Sequence, residues 1–207
     1  EQKTRKKLKK LMVMVKAFSY GAGIFEIAHL LQFHGVEQMA VAYVDEGVEL
    51  RKMNIQMPIM VMNTEEPVFD AIIENQLEPV LFCFSILHAF DSYLQRQGIQ
   101  SYPVHLEIET GMNRLGFAEN EIPALIAYLS STSSFLIQSV FSHLAASEDP
   151  ASDPFTFQQF SIYQTVSSLG NSLYNIVMRG NGYQSISGNG YAIAQPDGPY
   201  PTPFIEG

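Results

Sequence analysis

Leu11-Met12-Val13-Met14-Val15-Lys16-Ala17-Phe18-Ser19-Tyr20-Gly21-Ala22-Gly23-Ile24 reads as a strand that ends on a lysine, turns on glycine and starts a helix. Ile24, Ile27, Ala28, Leu30 and Leu31 then recur at three- and four-residue spacing, which is one face of an amphipathic helix. A second short apolar run, Met39 to Tyr43, follows. Strand, turn, helix and strand in that order make a βαβ unit, the connection that parallel strands require.

The unit repeats along the chain. Further strands are expected at Pro58 to Met62, Val80 to Phe84, Val104 to Glu109, Ile137 to His143 and Asn175 to Met178. Helical patterns lie between them. One carries Val48, Leu50, Arg51 and Met53 behind the acidic start Asp45-Glu46; the others run over Glu65 to Asn75, Ser85 to Gln97, Glu119 to Leu129 and Phe155 to Ser168. Most of the strands are apolar on both faces, as expected of a parallel sheet covered by helices. The chain therefore reads as α/β, either a (β/α)8 TIM-type barrel that is incomplete by one unit or a doubly wound sheet. The barrel reading carries a corollary: reactive residues belong at strand C-terminal ends. Lys16 closes the first strand, Arg114 lies after the fifth and His143 closes the sixth.

Charge narrows the function. The 207 residues hold 12 Lys+Arg and 21 Asp+Glu, a net −9. Six of the basic residues fall in the first ten positions, which leaves a body of −14. So acidic a surface argues against nucleic acid and against an anionic membrane as partner. The apolar run after the basic start stops at Lys16 and has no small-residue cleavage pattern, so a signal peptide is not expected. One cysteine, Cys83, sits in an apolar run; it cannot form an internal disulfide, so core packing and a reducing, cytoplasmic setting are expected. The expected division is a basic arm at 1–10, a barrel domain at 11–180 and a Gly/Pro-rich, irregular tail at 181–207.

Several segments carry a family resemblance. Val15-Lys16-Ala17-Phe18-Ser19-Tyr20-Gly21-Ala22-Gly23 resembles the pyridoxal-phosphate lysine motif of bacterial alanine racemases. Val41-Ala42-Tyr43-Val44-Asp45-Glu46-Gly47-Val48-Glu49-Leu50-Arg51 is similar to their second strand and helix, Glu109-Thr110-Gly111-Met112-Asn113-Arg114-Leu115-Gly116-Phe117 to their arginine loop, and Val140-Phe141-Ser142-His143-Leu144-Ala145 to their sixth strand. The wording is most similar to the racemase half of proteins fused to a muramyl-peptide ligase.

The resemblance implies a cofactor, pyridoxal 5'-phosphate, and the interconversion of L- and D-alanine for peptidoglycan synthesis. It implies that Lys16 holds the cofactor as a Schiff base and is one of two acid/base groups. Tyr20 matches a tyrosine near the phosphate, His143 a histidine packed by the pyridine ring, and Arg114 an arginine near the phenolic oxygen. Ser172 matches a phosphate contact, and Arg179, followed by Gly180, an arginine facing the pyridine nitrogen. No metal is implied, and a homodimer is. Where many members carry a lysine, often carbamylated, this chain has Glu107, whose carboxylate is expected to orient Arg114. The family's β-rich second domain, source of the opposite base, has no counterpart in this sequence. Two other readings compete: a single-barrel pyridoxal-phosphate carrier that racemises nothing, and an interaction module whose basic arm docks an acidic partner.

Overall fold

Because successive side chains of a strand point to opposite faces, a strand apolar throughout must be covered on both. The computed structural model describes residues 11–169 and 176–179, with side chains through Tyr163. Along the chain lie β1 (Met12–Met14), α1 (Lys16–Tyr20), α2 (Ile24–Phe33), β2 (Gln38–Val41), α3 (Val44–Lys52), β3 (Ile59–Val61), α4 (Phe69–Glu74) and β4 (Glu78–Leu81). Then come α5 (Phe84–Arg96), β5 (Tyr102–Glu107), α6 (Ile122–Ser131), β6 (Phe135–His143), α7 (Asp153–Leu169) and β7 (Ile176–Arg179). The arm, the tail, Ser172 and Gly180 lie outside the described residues.

The strands form one parallel sheet in the order β1-β2-β3-β4-β5-β6-β7. A doubly wound sheet reverses its order at a switch point. This sheet never does, so the winding is that of a barrel and the doubly wound alternative falls.

Each strand divides its side chains between two cores. Outward, Val13, Met39, Val41, Ile59, Val61, Leu81, Val104, Leu106 and Val140 pack under the helices with Ala28, Leu50, Ile72, Leu87, Phe90 and Leu125. Phe90 is fully buried, with the Phe69, Tyr102 and Phe135 rings at 4.8, 5.7 and 6.3 Å. Inward, Ala40, Met60, Met62, Val80 and Phe141 fill the concave side together with Met12 and Met14. Thioethers, which adapt to irregular gaps, suit an interior shaped by curvature.

Toward the strand N-terminal ends the concave side is polar. The Glu78 carboxylate accepts from Gln38 at 2.8 Å and pairs with His105 Nε2 at 2.9 Å, while His105 Nδ1 meets Ser139 Oγ at 2.6 Å. Gln38, His105 and Ser139 are fully buried, and buried polar groups persist where they are mutually bonded. Register is interrupted nearby. Val104 pairs with Ile137 but His105 pairs with Ser139, so Gln138 is the extra residue of a bulge.

Two expectations need correcting. The apolar run Val80 to Phe84 is not one strand: β4 ends at Leu81, and Phe84 already opens α5. Cys83 is consequently not core. It sits half-buried in extended backbone just before α5, its Sγ 3.1 Å from Ser85 Oγ. Arg51, unlike the exposed Lys52 and Arg96, turns inward. Its guanidinium donates to four carbonyls, those of Asn75, Ile55, Met57 and Gln76, at 2.7–2.9 Å. Burial lowers its pKa, with Glu78 opposing the shift.

Candidate functional site

Directly after β1, Ala17, Phe18, Ser19 and Tyr20 all have φ between 51° and 57°. Four consecutive L-residues in the left-handed region cost roughly 1–2 kcal/mol each, so outside contacts must hold them. Backbone bonds close the turn: Ser19 N–H donates to the Val15 carbonyl and Gly23 N–H to that of Phe18, both at 3.0 Å. The remaining anchor is Glu46 on α3. Its Oε1 accepts from Ala17 N–H at 2.7 Å, and its Oε2 from Ala42 N–H at 2.7 Å and Tyr43 N–H at 3.1 Å. Lys16 thus sits in α1 itself, two residues past the end of β1 at Met14, rather than closing the strand as expected.

The loop after β5 carries Arg114. It is closed at its base where Glu109 N–H donates to the Phe117 carbonyl and Phe117 N–H to that of Glu107, both at 2.9 Å. Within it Glu109 accepts from the N–H groups of Gly111 and, at 3.2 Å, Arg114. Gly116 is obligatory: its φ is +121°, and a Cβ there would lie 2.4 Å from Glu109 N.

A buried glutamine of α7 ties this loop to β6. Gln159 Nε2 donates to Thr110 Oγ1 and to the His143 carbonyl, both at 3.2 Å, and its Oε1 accepts from Ala145 N–H at 3.0 Å. Thr110 and Ser142 join across at 2.6 Å.

These loops and strand ends enclose a cavity of about 730 Å³ at the C-terminal side of the sheet. Lys16, Tyr20, Arg114 and His143 line it, with Glu107, Asn63, Met14, Met62, Ser147 and Glu148. Four sequence-derived site residues, two from α1, one from the loop after β5 and one from the end of β6, therefore share one space. For Arg179 the register speaks: β7 sets it opposite His143 on β6, at the same rim. Glu107 is buried among the lining residues, and Glu109 holds the backbone of the Arg114 loop. A primary amine for an aldehyde, a guanidinium and a phenol for oxyanions, and an imidazole beside a flat ring make a donor set that could hold pyridoxal phosphate. The volume lies within the roughly 300–1,000 Å³ usual for small-molecule sites.

The family model described as "Alanine racemase, N-terminal domain" matches residues 1–180. The chain belongs to that family. Its alanine racemase relatives include one from Clostridium kluyveri, 35% identical over 159 residues, and alanine racemase 1 from Clostridium acetobutylicum, 32% identical over 153 residues. Those matches cover 75% and 73% of this chain but 40% and 39% of the relatives, so the chain spans about two-fifths of their length. Among solved structures, an alanine racemase from Clostridium difficile 630 superposes with a TM-score of 0.77 at 25% identity, over 84% of this chain and 46% of that one. The (β/α)8 barrel class, present in part, is thereby the fold of an alanine racemase N-terminal domain.

Several residues of this site escape a linear reading. Glu46 has the sequence signature of an acid in the first turn of a helix, which accounts for a dipole partner but not for a bond 29 residues back. Asn63 and Gln159 carry no local signal, because Asn63 donates to the Ala42 carbonyl and Gln159 to Thr110, each on another βα unit, while Glu109 bonds inside its own loop.

Proposed function

We propose that the chain is the cofactor-binding barrel of a pyridoxal-phosphate-dependent alanine racemase, acting on alanine, with Lys16 as the reactive amine. The observation that carries this reading is one cavity, at the catalytic end of a barrel, lined by Lys16, Tyr20, Arg114 and His143 in a member of this family. When bound, pyridoxal phosphate supplies an aldehyde that condenses with amines and a ring that spreads the negative charge left at a substrate α-carbon. The protein's part is positional. Lys16 offers Nζ as a nucleophile and, once released by the incoming amino group, as a base that takes or returns the α-proton on one face. Arg114 would offer planar donors to an oxyanion of the cofactor, and Tyr20 a hydroxyl to its phosphate. The His143 ring supports the flat cofactor from the strand end. Ser172, Arg179 and Gly180 complete the proposed binding set, and Glu107 places a carboxylate on the cavity wall.

An arm at 1–10, a barrel at 11–180 and a tail at 181–207 remain the proposed division. We further assign a homodimer, a cytoplasmic location, a role in cell-wall synthesis and fusion to a muramyl-peptide ligase to the whole protein, on resemblance. No helix among the described residues is long and apolar enough to cross a membrane.

Solvent exchange tests the chemistry. Incubated with pyridoxal phosphate and alanine in deuterium oxide, the chain is expected to replace the α-hydrogen of an alanine enantiomer with deuterium, and Lys16→Ala is expected to abolish this. Exchange at equal rates in both proteins contradicts the role of Lys16.

A further inference from the structure

We infer that Glu46 is the positioning residue of Lys16, an inference that rests on the reading of Lys16 as the cofactor lysine. The peptide N–H of Ala17 lies in the plane that joins Ala17 to Lys16, so whatever holds that N–H fixes the ψ of Lys16 and the direction in which its side chain leaves the backbone. Glu46 Oε1 holds it at 2.7 Å. On the other side of Lys16, Val15 N–H donates to the Ala40 carbonyl at 2.8 Å. The lysine is pinned from both flanks, by a strand before it and by a carboxylate after it.

Packing alone does not hold this turn. Phe18 is 65% and Tyr20 69% exposed, Ala17 is exposed as well, and only Ser19 in the run is buried. A left-handed run so little covered needs a polar restraint. Nor is Glu46 accounted for as a helix cap. Capping explains the bonds from Ala42 and Tyr43 to Oε2, at the entry to α3. It does not explain Oε1, which reaches across to a different βα unit. The two oxygens of one carboxylate tie the lysine turn after β1 to the end of β2, and charge-assisted bonds to N–H groups are the strong kind. Three donors on two acceptor oxygens also make the site selective for a carboxylate. A glutamine places an NH2 group against one of those donors, and an aspartate is a methylene too short to bridge them.

The test compares the wild-type chain with Glu46→Gln, Glu46→Ala and, as a control on the exposed side of the same helix, Glu49→Gln. Two quantities are read: amide exchange at Ala17, and the rate at which Lys16 is trapped by pyridoxal phosphate and borohydride as a pyridoxyl-lysine, relative to Lys52. Condensation releases water, and the borohydride hydride fixes the new C–N bond as a secondary amine. Glu46→Gln and Glu46→Ala are expected to speed exchange at Ala17 and slow trapping at Lys16 by about tenfold or more, the scale set by misplacing a reactive group by an ångström. Protection of the Leu50 amide should persist, and Glu49→Gln should behave as wild type. Wild-type trapping of Lys16 in Glu46→Gln overturns the positioning role and leaves the cofactor-lysine reading intact. Loss of Leu50 protection together with slow trapping reassigns Glu46 to holding the fold and equally overturns it. If even the wild type labels Lys16 no faster than Lys52, the underlying reading fails and this inference fails with it.

Discussion

Arg51 is a single side chain that does the work of a loop. Its guanidinium satisfies carbonyls ahead of both β3 and β4, which no other group nearby could reach together. Arg51→Met should therefore lower the urea-unfolding free energy by about 2–4 kcal/mol, and Arg51→Lys should recover little, since an ammonium lacks the planar fork. Gln159 is a second residue of this kind. Gln159→Leu should cost about 1–3 kcal/mol by removing the side-chain partners of the His143 carbonyl and Ala145 N–H and a donor to Thr110, and should raise amide exchange at Ala145. Neither role can be read from the sequence. Arg51 stands in a helix with Lys52 beside it, and periodicity gives no sign that a long basic side chain folds back over its own C-terminal turn. Lys16, Arg114 and His143 were legible because each stands at or just past the C-terminal end of an apolar run, and that position alone decides which end of a barrel a side chain faces.

Elements were legible to the degree that they rest on local pattern. The seven strands among the described residues, and the helices from α2 onward, follow from apolar runs and helical spacing, because a parallel strand covered on both faces has a largely apolar signature. Boundaries failed where one apolar run served two elements, as at Val80 to Phe84. The left-handed form of α1 was invisible, since Ala17, Phe18, Ser19 and Tyr20 include no glycine and only tertiary bonds dictate their φ. The arginine loop gives a prediction at this scale. Gly116→Ala puts a Cβ within 2.6 Å of backbone at Ile108 and Glu109 and should destabilise the chain by about 2 kcal/mol or more, read by thermal melting. The α5–α6 junction gives another. Burial alone would raise the carboxyl of Asp91, but hydrogen bonds from Ser134, Tyr128, Thr132 and Gln95 outweigh it and hold its pKa below the ordinary 3.8. Its contribution is present above that value and lost as pH falls through the lower folded-state pKa. Burial, and then Asp91, push Tyr128 from 10.0 up to about 12, so that contribution is present below pH 10.0 and lost as pH rises toward about 12. Asp91→Asn should flatten both the acid and the alkaline limbs of a stability profile.

For the whole molecule, the opening asymmetry of charge acquires a place. A body with few cations sets Lys16 and Arg114 on the wall of one cavity, and Arg179 at the backbone register of its rim. The methionine-lined concave side separates this end from the buried Glu78–His105–Ser139 cluster at the other. Polarity is thus kept to the two ends of the sheet, with the proposed chemistry at one and mutually bonded groups at the other. The central claim is that Lys16 is the amine to which pyridoxal phosphate attaches. The chain equilibrated with the cofactor, reduced with borohydride, digested and mapped by mass should carry the pyridoxyl increment on the peptide containing Lys16, and Lys16→Ala should carry none. An increment spread over Lys52 and the lysines of the first ten residues, with Lys16 unmodified, would contradict it.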